Sequence, residues 1–187
     1  MIQIFVGLIF VLFNTNIYFW DIGVTYYITN IIGYIFLFFG INKLSSTNQR
    51  LLKVRPYVII MFAHSIIFLL VDITGHSPLT MGMSTMVMTI TALIGAAFIA
   101  AGMFMIFIII SELMKDFTSE KNEKNKDQLN ILVSIMMLLF IFAGISAFLD
   151  LIPMLTPIIM GALFLLELVF LIRYYNVFLA KNEKGNE

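Results

Sequence analysis

The stretch Asn42-Lys43-Leu44-Ser45-Ser46-Thr47-Asn48-Gln49-Arg50-Leu51-Leu52-Lys53-Val54-Arg55-Pro56 decides the fold. It holds four cations and no acid, and it joins two long apolar runs. A short basic turn between two such runs marks helices threaded through a bilayer, with the cations kept on one side. The rest of the chain repeats the arrangement. All eleven Lys and Arg residues fall in three places: Lys43 to Arg55, Lys115 to Lys126, and Arg173 to Lys184.

Composition agrees. The 187 residues are 61% hydrophobic and 12% charged, whereas a soluble domain is about a quarter charged. Lipid must therefore serve as solvent for much of the apolar surface. The net charge is zero, which argues against nucleic acid as a partner. There is no cysteine, which removes disulfides, thiol nucleophiles, thiolate zinc sites and Cys-ligated iron–sulfur clusters together.

About 20 apolar residues cross the hydrocarbon core as a helix. Six segments qualify, at roughly 2–20, 24–42, 54–73, 85–112, 129–149 and 156–178. The connections after the second, fourth and sixth are charged, and the others carry no Lys or Arg. The positive-inside rule then places both termini in the cytoplasm. The expected fold is all-α: one transmembrane domain over 1–187, a polytopic bundle of six spans in three outward-pointing hairpins. Barrel strands would alternate, and these runs do not. The N-terminal run lacks the basic start and small-residue cleavage site of a secretory signal, so a retained helix is expected.

Two spans are irregular. Asn14-Thr15-Asn16 interrupts the first, so its outer end unwinds or 14–30 re-enters the membrane. The fourth is long: Met81 to Leu113 would make about 50 Å of helix, which tilts or extends beyond the core. Residues 114–128, with four basic and four acidic residues, read as a solvated cytoplasmic linker. The basic turn at 43–56 reads as a topology determinant near anionic headgroups.

Ionisable groups at mid-membrane depth are costly unless paired or hydrated. His64 and Glu167 lie at the midpoints of the third and sixth spans and form a candidate proton-sensitive polar pair; the structural reading is a neutral bond between helices. A second candidate set is an acidic outer face of Asp21, Asp72, His76 and Asp150. Asp72 and His76 share a face there only if the helix continues. The simpler reading makes them boundary residues. Two His residues are too few to build a metal centre on imidazole ligands. Each outer Asp is followed 10 to 12 residues later by a glycine (Gly33, Gly82, Gly161); the readings are a vestigial triplicated hairpin, or chance, since Asp is a good boundary residue.

A packing seam is expected in the fourth span, where Gly95, Ala96, Ala97, Ala100, Ala101 and Gly102 include two small-xxx-small pairs. Gly33 and Gly40, seven apart, would share one face of the second span. Tyr18, Trp20, Tyr26 and Tyr27 would form an interfacial belt.

Enzyme motifs are missing. Thr74-Gly75-His76-Ser77 and Arg55-Pro56 are similar to elements of membrane lipid phosphatases, but the expected topology puts Arg55 and His76 on opposite sides. There is no paired-Asp phosphatidyltransferase signature, no Glu-Glu protease pair and no Gly-x-Ser-Gly. Without a Walker loop, any ATP-driven role needs a separate motor subunit. No catalytic set, cofactor or metal site is expected.

The stretch Ile31-Ile32-Gly33-Tyr34-Ile35-Phe36-Leu37-Phe38-Phe39-Gly40-Ile41-Asn42-Lys43-Leu44, after Gly7-Leu8-Ile9-Phe10-Val11-Leu12-Phe13-Asn14, resembles a loose group of small multi-span bacterial membrane proteins. The likeness covers roughly the first 55 residues and implies a bacterial plasma membrane without a mechanism. Thr29-Asn30 stands where that group often has Pro-Asp. Size and six-span topology also resemble the substrate-binding subunits of energy-coupling-factor vitamin transporters. Those carry an Ala-x-x-x-Ala seam in the first span; here it lies in the fourth. The expected function is a non-enzymatic accessory or regulatory membrane protein that packs against a membrane-protein partner or a second copy. The alternative is a small-solute transporter, or its binding subunit, with a midplane polar site.

Overall fold

A computed structural model describes residues 1–17, 23–46, 48–82, 84–116, 123–149 and 154–179. Six α-helices follow one another: α1 Ile2–Ile17, α2 Val24–Ser45, α3 Arg55–Ile73, α4 Met86–Asp116, α5 Glu123–Leu149 and α6 Leu155–Phe178. A 3-10 turn, Gln49–Lys53, precedes α3. Among the described residues there is no strand.

Five of these helices, α2 to α6, are long and apolar enough to cross a membrane. The first is apolar too but has only 16 residues, about 24 Å of helix against a core of about 30 Å. It stays helical through Asn14-Thr15-Asn16 to Ile17; residues 18–22, where unwinding or re-entry would follow, lie outside the described residues. The fourth helix starts at Met86, leaving Met81 to Thr85 ahead of it. Its 31 residues still make about 46 Å, so it tilts or overhangs.

The expected linker at 114–128 is shorter than the charge pattern suggested. Helix α4 runs on to Asp116 and α5 begins at Glu123. Lys and Glu are good helix formers, and Glu112 pairs with Lys115 one turn on, which favours continued helix.

Among the described residues, the flanks of the long helices expose apolar side chains. Ile60, Ile67, Leu70, Phe98, Leu138, Ile158, Leu165 and Ile172 are all exposed and point away from the bundle. Large side chains spread this way over every long helix are what lipid contact requires. Inside, Tyr27, Tyr34, Phe107, Phe170 and Tyr174 are fully buried.

Each helix packs on its neighbours in the chain, and α6 returns to α1, closing a ring. The tightest seam joins α1 to α2, where three glycines let the backbones meet. A Cβ added at Gly7 would lie 2.8 Å from the Gly33 carbonyl oxygen and 2.9 Å from the Leu37 nitrogen. One added at Gly40 would lie 2.9 Å from the Ile4 nitrogen. Gly33 and Gly40 thus share the face expected of them, and both press on α1. Gly161 and Gly82 meet nothing within 4 Å, so of the three glycines that follow an outer Asp, Gly33 sits at a close helix contact and the other two do not.

Lys43, Arg50, Lys53 and Arg55 gather around the 3-10 turn. The 3-10 turn is seated by Leu51 and Val54, both fully buried, while Arg50, Lys53 and Arg55 stay exposed. The Asn48 side chain caps the turn by accepting from the Arg50 nitrogen at 3.1 Å. The Met1 amine holds its proton less tightly than usual, through burial first and then repulsion from Lys43. Phe5 stacks on Tyr174 and tilts against Tyr175, and the neighbouring Arg173 donates to Gln128 of α5 at 2.8 Å.

Candidate functional site

Helix α3 meets α4 through His64. Nε2 lies 3.1 Å from the Phe98 carbonyl oxygen. A carbonyl only accepts, so the proton of this bond sits on Nε2. The ring also leans on Phe68, with centroids 4.6 Å apart, and fills the hollow over Gly102. A Cβ at Gly102 would come within 2.5 Å of His64 Cε1. His64 therefore pins two helices together through a polar bond and a glycine notch.

Glu167 is placed elsewhere. It is 1% exposed and lies on α6, whose packed neighbours are α5 and α1, whereas those of α3 are α2 and α4. His64 and Glu167 belong to different seams of the ring. Equal depth set the expectation of a pair, but depth says nothing about which helices are neighbours.

The outer acidic set divides as well. Asp21 and Asp150 lie outside the described residues. Asp72 is half-buried and His76 is exposed, and they do not share a helix face. The helix ends at Ile73 because Gly75 takes a left-handed backbone, φ +72. The Gly75 nitrogen then bonds the Asp72 oxygen at 3.0 Å, and the His76 nitrogen bonds the Val71 oxygen at 3.1 Å. These two bonds form a Schellman cap. Among the described residues no group of three or more His, Asp or Glu side chains gathers to hold a metal.

The small residues of α4 point two ways. Gly102 receives His64, and a Cβ at Gly95 would run into Pro78 of the preceding turn. Ala96 is half-buried, while Ala97, Ala100 and Ala101 are exposed. Ile90, Ile94 and Phe98 stand exposed beside them. One face of α4 thus completes the bundle, and the other presents a shallow alanine notch to the surroundings.

A polar–aromatic seam on α2 was not anticipated. Tyr26, Asn30 and Tyr34, four apart, are buried on one side of the helix, and the Tyr26 and Tyr27 rings meet edge to face with centroids 5.1 Å apart. Tyr27 stacks on Phe68 of α3. Tyr26 and Tyr27 are therefore interior residues, because their rings find partners in the bundle. The spacing of four among Tyr26, Asn30 and Tyr34 was the signal available in the sequence. At the opposite seam, Thr156 of α6 donates to the buried Ser146 of α5 at 2.9 Å.

Beside Tyr34 a cleft of about 460 Å³ opens between α2 and α3. Tyr34, Ile35, Phe38 and Phe39 face Val58 and Phe62 across it. At its basic end the Arg55 guanidinium lies 5.0 Å from the Phe38 ring centre, a cation–π contact.

No protein-family model matches the chain, and no curated protein or solved structure is significantly similar to it. The site is therefore read from its own geometry. It offers apolar packing surfaces, three interhelical polar bonds and an apolar cleft with a cationic rim.

Proposed function

We propose that this chain is a non-enzymatic accessory or regulatory subunit of a bacterial plasma membrane, working through helix packing with a partner in the bilayer. In this reading α1 completes a set of six spans in three hairpins. Both termini and the basic connections lie on the cytoplasmic side, as the positive-inside rule requires.

The observation that carries the reading is the outward face of α4. Ala97 and Ala101 are one turn apart and exposed, within a helix that already has its own seam at Gly95 and Gly102. Helices in lipid associate by close packing rather than by the hydrophobic effect, and small residues permit that closeness. A solute carrier has less support, because His64 and Glu167 lie in different seams and the cleft beside Tyr34 is walled by apolar side chains.

A photoreactive side chain at Ala101, activated in intact membranes, tests the proposal. A discrete protein adduct is expected there, lost when Ala97→Leu fills the notch. The same probe at Ile172, on the exposed side of α6, should yield lipid adducts. An adduct of twice the chain mass identifies the partner as a second copy. Lipid adducts alone at Ala101 would remove the basis of the proposal.

A further inference from the structure

The geometry points to the α2–α3 cleft as a binding site for an anionic phospholipid, one acyl chain lying between the helices and the phosphate held by Lys43 and Arg55. This goes beyond the helix-packing reading and does not depend on it.

The cleft wall is apolar on both sides. Phe38 and Phe39 of α2 face Val58 and Phe62 of α3, so a hydrocarbon chain meets only hydrocarbon there. Position decides which lipid fits. Lys43 is one helical turn beyond Phe39 on α2, and Arg55 is one turn before Ile59 on α3. Residues four apart lie over one another on a helix face, so the two cations flank the same end of the cleft. Each is about 6 Å along its axis from the apolar wall, a distance both long side chains can bridge by snorkelling. Arg55 is already turned toward the cleft, over Phe38 at 5.0 Å.

Charge complementarity selects the headgroup. Between Asp21 and Asp72 the sequence has no acidic residue. Among the described residues the ion pair found is Lys115 with Glu112, on a different helix. Nothing acidic nearby in the sequence competes for Lys43 or Arg55. A guanidinium offers a phosphate two parallel hydrogen bonds, and an ammonium adds a mobile point charge. A zwitterionic headgroup would bring its own cation into this rim.

The test is lipid retention. The full-length protein is placed in nanodiscs of equal phosphatidylglycerol and phosphatidylcholine, extracted gently and weighed by native mass spectrometry. One phosphatidylglycerol per chain is expected, in preference to phosphatidylcholine. The pair Lys43→Gln with Arg55→Gln should lower its occupancy by about tenfold or more. The pair Arg50→Gln with Lys53→Gln removes the same charge away from the cleft and should leave occupancy near that of the parent. Ile59→Trp, which fills the cleft and keeps every cation, should also displace the lipid.

Three results would overturn the site. Equal retention of the two lipids is the first. Equal loss in both charge variants is the second, because it would mean diffuse attraction to a basic surface. Unchanged retention in Ile59→Trp is the third, because it would place the lipid outside the cleft. Helical circular dichroism of each variant separates lost binding from lost fold.

Discussion

Replacing Gly7 with leucine is expected to force α1 off α2 and lower stability by about 1–3 kcal/mol or more, the usual range for overpacking. The reason is the identity of the atoms in the way. A Cβ at Gly7 would lie 2.8 Å from the Gly33 oxygen and 2.9 Å from the Leu37 nitrogen. Those are backbone atoms inside a helix, so no rotamer change relieves the clash. Even Gly7→Ala should be destabilising, despite the better helix propensity of alanine. Gly161 gives the contrast. It is exposed, and an added Cβ there meets nothing within 4 Å. Gly161→Ala should leave stability unchanged or raise it by about 0.5–1 kcal/mol. Thermal unfolding in mild detergent, followed by circular dichroism, measures both. Equal effects at Gly7 and Gly161 would mean that α1 does not lie against α2 as described.

The second large effect is expected at the α3–α4 seam. Gly102→Leu should cost about 1–3 kcal/mol, because it drives a side chain into the His64 ring. Unlike the case of Gly7, the obstacle is a side chain and can be removed. His64→Ala alone should cost less, about 0.6–2 kcal/mol for an interhelical polar bond in a membrane protein. Combined with Gly102→Leu, it opens the hollow that leucine needs. The double variant should therefore be more stable than the two single losses predict, which is the signature of direct contact. Strict additivity would show that His64 and Gly102 do not touch.

These contacts also indicate what the sequence could and could not reveal. Helix positions were legible because they follow from apolar length and local chemistry. Pro56 sits in the first turn of α3, where its missing N–H costs nothing. Gly75 closes the same helix. The shared face of Gly33 and Gly40 was legible from their spacing alone.

Which way each helix turns was not legible. In a soluble protein a polar stripe marks the outer face. Here lipid and bundle interior are equally apolar, so α4 shows the same kind of residue all round. Its small residues looked like one seam, yet Gly102 faces His64 while Ala97 and Ala101 face outward. For the same reason nothing in the sequence showed that the neighbour of His64 is α4 rather than the helix of Glu167. Tyr26 and Tyr27 were read as interfacial because aromatic residues near a span end usually are. The Tyr27 ring is buried against Phe68 from another helix, a tertiary fact.

The proposed topology spans the bilayer with the cationic connections together on one side. The chain has no cysteine, so single-cysteine variants need no prior cleaning of the background. Arg50→Cys, Lys124→Cys and Thr80→Cys, treated in intact cells with a thiol reagent that cannot cross membranes, test it most directly. Labelling of Thr80→Cys alone is expected, with the other two reacting only after the membrane is opened. Labelling of Arg50→Cys or Lys124→Cys from outside, or equal labelling of all three, would contradict it.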